Sequence, residues 1–250
     1  MQYRNSVLLL ALLSNFSLLS SRIVLSPLLP DVIDAFSVSK SAAGVALTGL
    51  WAAYAVLQFP SGLLSHRYGE RPVILAALFL TGVGTILLAF SPSFVLMALF
   101  AVFVGAGAGL YYSVAMVLIN RLFEDRSGWA MSIHGISVPL GGLLTPIVAT
   151  ALSVRFGWRI GVLLPAAIIF PVFLLVAHQL GPTEPEAIDG SESGIELRSL
   201  LDQLRNAHLI HTTLLAIIVY FVWQAFASFL PTFLREYWGV SPQVASLGFA

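Results

Sequence analysis

GLLSHRYGERP, residues 62–72, is a short charged segment between two long apolar runs. It holds a histidine, a glutamate and two arginines, in a chain whose residues are 58% hydrophobic and only 10% charged. The mean hydropathy of +0.92 is far higher than the core of a soluble domain requires. The solvent for most of the chain is therefore predicted to be lipid, with residues 62–72 as a turn at the membrane surface.

Apolar runs long enough to cross a hydrocarbon layer of about 30 Å as helices recur along the chain. We predict spans at 7–29, 42–64, 73–90, 94–118, 129–153, 160–178 and 209–230. The runs are too long for the strands of a membrane barrel, so helices must satisfy the backbone in lipid. The first run has no cleavage site and is interpreted as a span rather than a signal peptide. The fold class is an all-α integral membrane protein.

Charge and composition exclude several classes of partner and site for this chain. The net charge is zero and no basic run exists, which argues against nucleic acid. Cysteine is absent, which excludes thiolate catalysis and Cys-based metal sites, and we predict neither a metal nor a cofactor. The basic residues assigned to the side of the N-terminus outnumber those of the other side by seven to four, which favours a cytoplasmic N-terminus in the plasma membrane. They are Arg4, Arg67, Arg71, Arg121, Arg126, Arg198 and Arg205, against Lys40, Arg155, Arg159 and Arg235.

The chain divides into three parts. Residues 1–178 are predicted to form a six-helix transmembrane bundle, and 209–250 to begin a second bundle with a seventh helix and the start of an eighth. Between them, 179–208 reads as a cytoplasmic linker that is rich first in Pro, Gly, Ser and acids. Its second half is predicted to form a short amphipathic helix, because Ser193 and Glu196 fit a capping box before a leucine-lined face.

An internal repeat connects the two ends of the chain. LLPDVIDAFSVSKSAAG (28–44) is similar to FLPTFLREYWGVSPQVAS (229–246), with Leu-Pro matching Leu-Pro and, after one inserted residue, Val-Ser matching Val-Ser. The seventh span thus restarts the first. A parallel repeat of about six helices relates the two halves of some transporters.

The opening segment carries a family resemblance. The loop between the second and third spans of the major facilitator superfamily has the pattern G-x-L-a-D-r-x-G-r-k-x-x-l, and this chain resembles it. The matching positions are Gly62, Leu64, Arg67, Gly69, Arg71 and Ile74. VGAGAG (104–109) and FGWR (156–159) add weaker support. The resemblance covers the whole chain and implies a six-helix bundle followed by the first helix of a second, parallel-repeat bundle.

The resemblance also implies a gate at residues 62–74, whose contacts on one side of the membrane bias a two-state motion. The sequence departs from the pattern at two places: His66 stands where the family has an acid, and Glu70 where it usually has a base. Because histidine changes charge near neutral pH, one hypothesis is that His66→Asp alters the pH profile of transport. The alternative is a solvated loop that tolerates the exchange.

Arg22 is the clearest site candidate, because an ionisable residue inside a span is costly. Asn15 precedes it by seven residues and shares its helical face. A guanidinium facing a cavity would bind an anion such as a carboxylate or a phosphate. In the alternative reading, Arg22 extends to the membrane surface or pairs with Asp31.

In the second span, polar and aromatic residues step by three and four along one face. They are Trp51, Tyr54, Gln58 and Ser61. Tyr54 and Gln58 are the stronger candidates for substrate binding because their polar atoms need partners in lipid. Lower-ranked candidates are Tyr111 and Tyr112 in the fourth span, and Tyr220 and Gln224 in the seventh, where Trp223 is the repeat equivalent of Arg22.

His134 in the fifth span is a candidate proton relay if transport is coupled to protons. A histidine satisfied by a backbone carbonyl is the favoured alternative, since no carboxylate lies nearby in the sequence. Two departures from the family's proton-driven members weaken an antiporter assignment. Ala101 replaces an arginine of the fourth-span motif, and 138–142 retain only part of G-P-x-x-G-G.

These observations predict a secondary transporter for a small solute, with an anion as the candidate, acting within the lipid bilayer with or without a coupling proton or ion. An enzyme is not expected, because H-E-x-x-H, G-x-S-x-G and G-x-G-D are all absent. The alternative is a truncated or assembling membrane protein that does not transport, since the sequence stops as an eighth span begins.

Overall fold

A computed structural model describes residues 2–183 and 206–249 of the chain. The α-helices of this part are α1 (Gln2–Ile23), α2 (Leu25–Phe36), α3 (Lys40–Tyr68), α4 (Glu70–Ala89), α5 (Phe94–Gly109), α6 (Tyr112–Leu122), α7 (Ser127–Gly135), α8 (Ser137–Phe156), α9 (Trp158–Gln179), α10 (Ala207–Tyr237) and α11 (Pro242–Phe249). We refer to α1–α9 as the first bundle. Its N-terminal end is where α1 begins, and its distal end is where α2 meets α3.

The described helices include seven that are long and apolar enough to cross a membrane, which confirms the predicted fold class. Three of the seven combine two shorter helices end to end, as in the first, Tyr3–Phe36. Most of the helices extend several residues beyond the predicted bounds, and the first continues seven residues past the predicted end at Leu29. Apolarity marks where lipid lies, whereas capping decides where a helix stops. The amphipathic helix predicted within 193–204 lies outside the described residues.

Helix α1 lies in the interior of the first bundle and is joined to its neighbours by buried hydroxyl and amide groups. Asn15 Nδ2 donates to Ser137 Oγ of α8 at 2.7 Å. Ser20 Oγ and Thr145 Oγ1, also on α8, are 2.7 Å apart. Such interhelical hydrogen bonds satisfy polar groups that would otherwise be unpaired in a dry interior.

Helix α5 packs against α3 and α4 with almost no space between the backbones. A Cβ at Gly105 would lie 2.0 Å from the Leu50 carbonyl oxygen of α3, and one at Gly109 would lie 2.5 Å from that of Tyr54. Gly107, between them, faces α4 in the same way at Thr81. Small residues at alternate positions of VGAGAG therefore fix where α3 lies, and with it the residues of the predicted binding stripe.

The predicted repeat is visible in the local structure at the distal end. Ser37 after α2 and Gly239 after α10 occupy equivalent positions and both have positive φ, 51° and 65°. Two residues later, the hydroxyls of Ser39 and Ser241 accept from the backbone N–H groups of Ala42 and Val244. The same left-handed helix end followed by the same serine cap occurs in both copies.

Helix α10 contacts the first bundle over part of its length only. All residues from 207 to 223 are exposed, whereas Ser228, Pro231 and Thr232 are buried. At Gly44 of α3, a Cβ would lie 3.4 Å from the Phe229 ring. The α10 helix thus packs on the first bundle at the distal end and stands clear of it towards the N-terminal end.

Candidate functional site

The interior of the first bundle holds a buried guanidinium. Arg22 is 7% exposed and lies in the last turn of α1, where the negative end of the helix dipole favours a cation. The helix breaks at Val24, and Pro27 cannot supply the N–H that the Ile23 carbonyl would accept in a continuous helix. Tyr3–Phe36 is therefore a discontinuous span with Arg22 at its break.

Two aromatic rings of α3 form the wall of this site. The Arg22 Cζ atom lies 4.0 Å from the centroid of the Tyr54 ring and 5.3 Å from that of Trp51. These two rings contact each other edge to face at 5.8 Å. Cation–π contacts offset part of the desolvation of a guanidinium, and Tyr54 is also a side-chain hydrogen-bond partner of Arg22. Arg22 Nε is buried without a hydrogen-bond partner among the described residues.

The structure brings only some of the predicted site residues together. Arg22, Trp51 and Tyr54 meet, as described above. Asn15 shares the face of Arg22 in sequence, but its amide nitrogen is bound to Ser137 on α8. Gln58 is half-buried, and its backbone carbonyl accepts from Ser61 Oγ at 2.7 Å and from Ser113 Oγ at 3.4 Å.

The candidates on α10 are not packed into the interior of the first bundle in this structure. Tyr220 is 71% exposed and Trp223 is 67% exposed. The Gln224 amide nitrogen donates to Ser228 Oγ one turn along its own helix, at 3.1 Å. These side chains lie on or next to the stretch of α10 that stands clear of the first bundle.

His134 belongs to a second buried cluster. The Tyr111 hydroxyl donates to the Ala11 carbonyl at 2.6 Å and lies 3.4 Å from His134 Nε2. The two rings stack with centroids 6.1 Å apart, and Tyr112 approaches the imidazole at the same distance. The Tyr111 hydroxyl proton is donated to the Ala11 carbonyl. The Nε2–H group of His134 is therefore assigned as the donor to the Tyr111 oxygen. The hydrogen-bond partner of His134 Nε2 is thus a tyrosine hydroxyl and not a backbone carbonyl.

The segment 62–72 is mostly helical, and this corrects its interpretation as a turn. Gly62, Leu64, His66 and Arg67 belong to the last turns of α3, and Gly69 alone separates α3 from α4. Gly69 has φ +82°, and a Cβ there would lie 2.3 Å from the Thr183 carbonyl oxygen. A single residue can reverse the chain here because glycine tolerates this conformation.

Glu70 is buried, so the segment is not simply a solvated loop. Its Oε2 lies 2.9 Å from an Arg121 nitrogen, and the exposures of the two side chains are 5% and 44%. Arg71 donates from its side chain to the Ala177 carbonyl at 2.7 Å and from its backbone to Thr183 Oγ1 at 2.9 Å. Sequence reasoning missed Arg121 as the partner of Glu70, since a separation of 51 residues leaves no local signal.

An open cavity of about 290 Å³ adjoins this ion pair at the N-terminal end. It is lined by Ser65, His66, Glu70, Val117, Asn120, Arg121 and Glu124. His66 is exposed at its edge, and Arg67 lies over the Tyr68 ring at 5.3 Å. The predicted gate residues therefore face both a neighbouring helix end and an open space.

A discontinuous first span, glycine-mediated helix contacts and a repeated first helix define this chain as part of a multi-pass membrane protein of the transporter class. Residues 11–250 match the sequence profile of the Major Facilitator Superfamily. The chain belongs to this family of transporters, which confirms the resemblance seen in its motifs.

Three curated proteins illustrate which sequences are similar to this chain. The membrane sensor protein UhpC of Salmonella typhimurium is 29% identical over 163 residues, covering 64% of this chain and 36% of that protein. The glycerol-3-phosphate transporter of Bacillus subtilis is 27% identical over 229 residues, covering 82% and 52%. The hexuronate transporter of the same organism is 22% identical over 235 residues, covering 90% and 55%. The chain thus spans between about a third and just over half of these relatives.

Among solved structures, a bacterial homologue of the human lysosomal transporter Spinster, in an inward-facing and unoccupied conformation, superposes with a TM-score of 0.84. The sequence identity is 20%, and the match covers 98% of this chain and 58% of that one. This likeness shows the fold of the chain.

Proposed function

We propose that this chain is the first bundle, and the beginning of the second, of a secondary transporter that moves a small anionic solute across the plasma membrane by alternating access. The observation that carries the proposal is the buried Arg22 guanidinium, which has aromatic contacts but no acceptor for its Nε among the described residues. A buried charge without a counter-charge is strongly unfavourable unless a partner or ligand compensates it.

The relatives support an anion as that ligand. Two of the relatives are named as transporters of glycerol-3-phosphate and of hexuronate. Both of these solutes are anions at neutral pH. A guanidinium binds carboxylate and phosphate oxygens with a pair of parallel hydrogen bonds. In this proposal Arg22 contacts the anion and the Trp51 and Tyr54 rings fix the plane of the guanidinium, while Gln58, Tyr220 and Gln224 complete the site in other states.

The seven-to-four distribution of basic residues predicted from the sequence supports a cytoplasmic N-terminus. The gate then lies on the cytoplasmic side, with Gly62, Leu64, His66, Arg67, Gly69, Glu70 and Arg71 as its motif. His134 is the candidate carrier of a coupling proton, although its contacts with Tyr111 and Tyr112 support a structural role more directly.

The test is thermal unfolding of the purified full-length protein with glycerol 3-phosphate, glucuronate and inorganic phosphate, against choline and glycerol. An anion that binds only the folded state raises its stability by about 2.7 kcal/mol at 100 times Kd. We expect this gain to vanish in Arg22→Gln and to persist in Arg155→Gln, since Arg155 is exposed. Stabilisation by anions that survives Arg22→Gln would contradict the proposal.

A second candidate function is solute sensing without transport, which the similarity to a membrane sensor protein favours. Transport and sensing would use the same solute-binding site, but only transport moves the solute across the membrane. Uptake of the stabilising anion into proteoliposomes indicates transport, and anion binding without uptake indicates sensing.

A further inference from the structure

Arg22 is the one lysine or arginine that lies away from the ends of the seven described membrane spans. Every other basic residue of this kind in these spans occupies the first or last turn of its span and so lies towards a membrane surface. They are Arg4, Lys40, Arg67, Arg71, Arg121, Arg126, Arg155, Arg159 and Arg235. Because arginine stays protonated in proteins, the interior of the described spans offers a solute a single permanent positive charge.

No ion pair among the described residues includes Arg22. Asp31 is the acidic residue that follows it most closely in the sequence, which leaves that carboxylate open as a partner. In the structure, Asp31 Oδ1 instead accepts from Arg235 of α10 at 2.8 Å. The acidic residue of α10, Glu236, pairs with Lys40. Both carboxylates are engaged at the distal end, so neither of them neutralises Arg22.

The contacts of Arg22 are aromatic rather than acidic. Its guanidinium lies over the rings of Tyr54 and Trp51, and Tyr54 is also its hydrogen-bond partner. Arg22 Nε is buried with no hydrogen-bond partner in the part of the chain that the structure describes. A solute with one negative charge would neutralise this site, whereas a second negative charge would remain uncompensated in the membrane interior.

The internal repeat identifies the residue of the second bundle that corresponds to Arg22. Aligning residues 29–30 with 230–231 makes Trp223 of α10 its equivalent. Parallel repeats are related by an axis along the membrane normal, so equivalent residues lie at the same depth on opposite sides of the repeat interface, where solutes bind. Trp223 is 67% exposed, and Tyr220, one turn before it, is 71% exposed. The repeat thus predicts an aromatic surface opposite the Arg22 cation.

We infer that the solute is an organic monoanion with an apolar body, and that Trp223, placed where a second cation could lie, restricts the site to one negative charge. The inference rests on the anion-binding role proposed for Arg22 and narrows it to one class of anion. The carboxylate or sulfate group of the solute accepts from the guanidinium, and its body packs against the rings of Trp51, Tyr54 and Trp223. A phosphate monoester brings a second charge that the described spans do not neutralise.

Two phenyl esters of similar shape distinguish the two charge states. Phenyl sulfate carries one negative charge, whereas phenyl phosphate carries about two at a pH of about 7.5. We would measure Kd for both by isothermal titration calorimetry with the purified full-length protein. Phenyl sulfate is expected to bind at least about tenfold more tightly, and Arg22→Gln to abolish its binding. Benzoate should bind at least about tenfold more tightly than acetate, since acetate lacks the apolar body.

Trp223→Arg tests whether this position sets the charge limit. A second guanidinium opposite the first would neutralise a dianion, so phenyl phosphate should gain at least about tenfold in affinity and the preference for phenyl sulfate should disappear or reverse. Trp223→Phe keeps an uncharged ring and should keep the preference. The matched control is Trp238→Arg, because Trp238 directly follows α10 and is 70% exposed. It adds the same charge near the membrane surface and should change either Kd by less than about twofold.

The results separate this inference from the proposed function. If phenyl phosphate binds through Arg22 as tightly as phenyl sulfate, or acetate as tightly as benzoate, the anion site stands and the inferred solute class is wrong. If Trp223→Arg leaves the preference unchanged, or Trp238→Arg alters it equally, Trp223 does not set the charge limit and the inference fails. If no anion binds through Arg22, including glycerol 3-phosphate, glucuronate and inorganic phosphate, the proposed function fails and the inference fails with it.

Discussion

At the scale of the residue, the Glu70–Arg121 pair has one buried and one half-exposed member, with 5% and 44% of the side chain accessible. Removing the half-exposed member leaves a buried carboxylate without its cation, whereas removing the buried member leaves a cation that water can reach. Arg121→Gln is therefore expected to lower the free energy of unfolding by about 2–3 kcal/mol and Glu70→Gln by about 1 kcal/mol. Thermal unfolding in detergent measures both.

The double variant, with glutamine at both positions, is the control for this asymmetry. It removes the stranded charge, so its stability should lie close to that of Glu70→Gln rather than below that of Arg121→Gln. Equal losses in the two single variants would show that burial does not govern this pair.

Residue-level reasoning from the sequence found Arg22 because a charge inside an apolar span is visible without a structure. It also placed Trp51 and Tyr54 on one face, because three residues make nearly one helical turn. The ring contacts with Arg22 depend on how closely α3 approaches α1, which the local pattern does not encode. The local pattern does not encode the ion pair between Asp31 and Arg235 either, since 204 residues separate them.

At the scale of the element, the position of α3 depends on the glycines of α5. Gly105→Ala would drive a methyl group to 2.0 Å from the Leu50 carbonyl, and backbone cannot move aside as a side chain can. We expect a loss of about 1–3 kcal/mol, the usual cost of overpacking, together with weaker anion binding because Trp51 and Tyr54 shift. Unfolding and ligand stabilisation, measured on one sample, check both effects.

Gly142→Ala is the matched control for this prediction. Gly142 also lies inside a helix, but a Cβ there meets no atom within 4 Å. Because alanine favours helix by about 1 kcal/mol over glycine, this variant should be neutral or more stable. If it were as damaging as Gly105→Ala, helix contact would not explain the effect.

The ends of the first and seventh spans give a second element-scale prediction. Ser37 adopts φ 51° where its repeat equivalent is Gly239 with φ 65°. Ser37→Gly should relieve strain and stabilise the protein by up to about 1 kcal/mol, whereas Gly239→Ala should destabilise it by a similar amount. Opposite shifts in the unfolding temperature would be the expected result, and shifts of the same sign would contradict the equivalence of the two ends.

At the scale of the whole molecule, hydropathy predicted the number and order of the spans, because lipid imposes the same requirement on every crossing segment. The repeat of 28–44 in 229–246 predicted the second bundle. Neither signal reports where α10 contacts the first bundle. The contacts lie at one end of α10, through Phe229, Arg235 and Glu236, and they emerge only when all helices are assembled.

The position of these contacts at one end of α10 leads to a prediction about motion. If the bundles separate at the distal end during transport, a short bismaleimide joining Lys40→Cys to Glu236→Cys should reduce uptake of the transported anion to below about a tenth, because one of the two states becomes unreachable. The control joins Arg4→Cys to Asp125→Cys, another surface ion pair, but one within the first bundle. A bundle that moves as a rigid unit does not strain this second link, so uptake should be retained. Uptake that survives the first link as well would show that the distal contacts of α10 stay closed throughout transport, and inhibition by both links would show that the first bundle itself deforms.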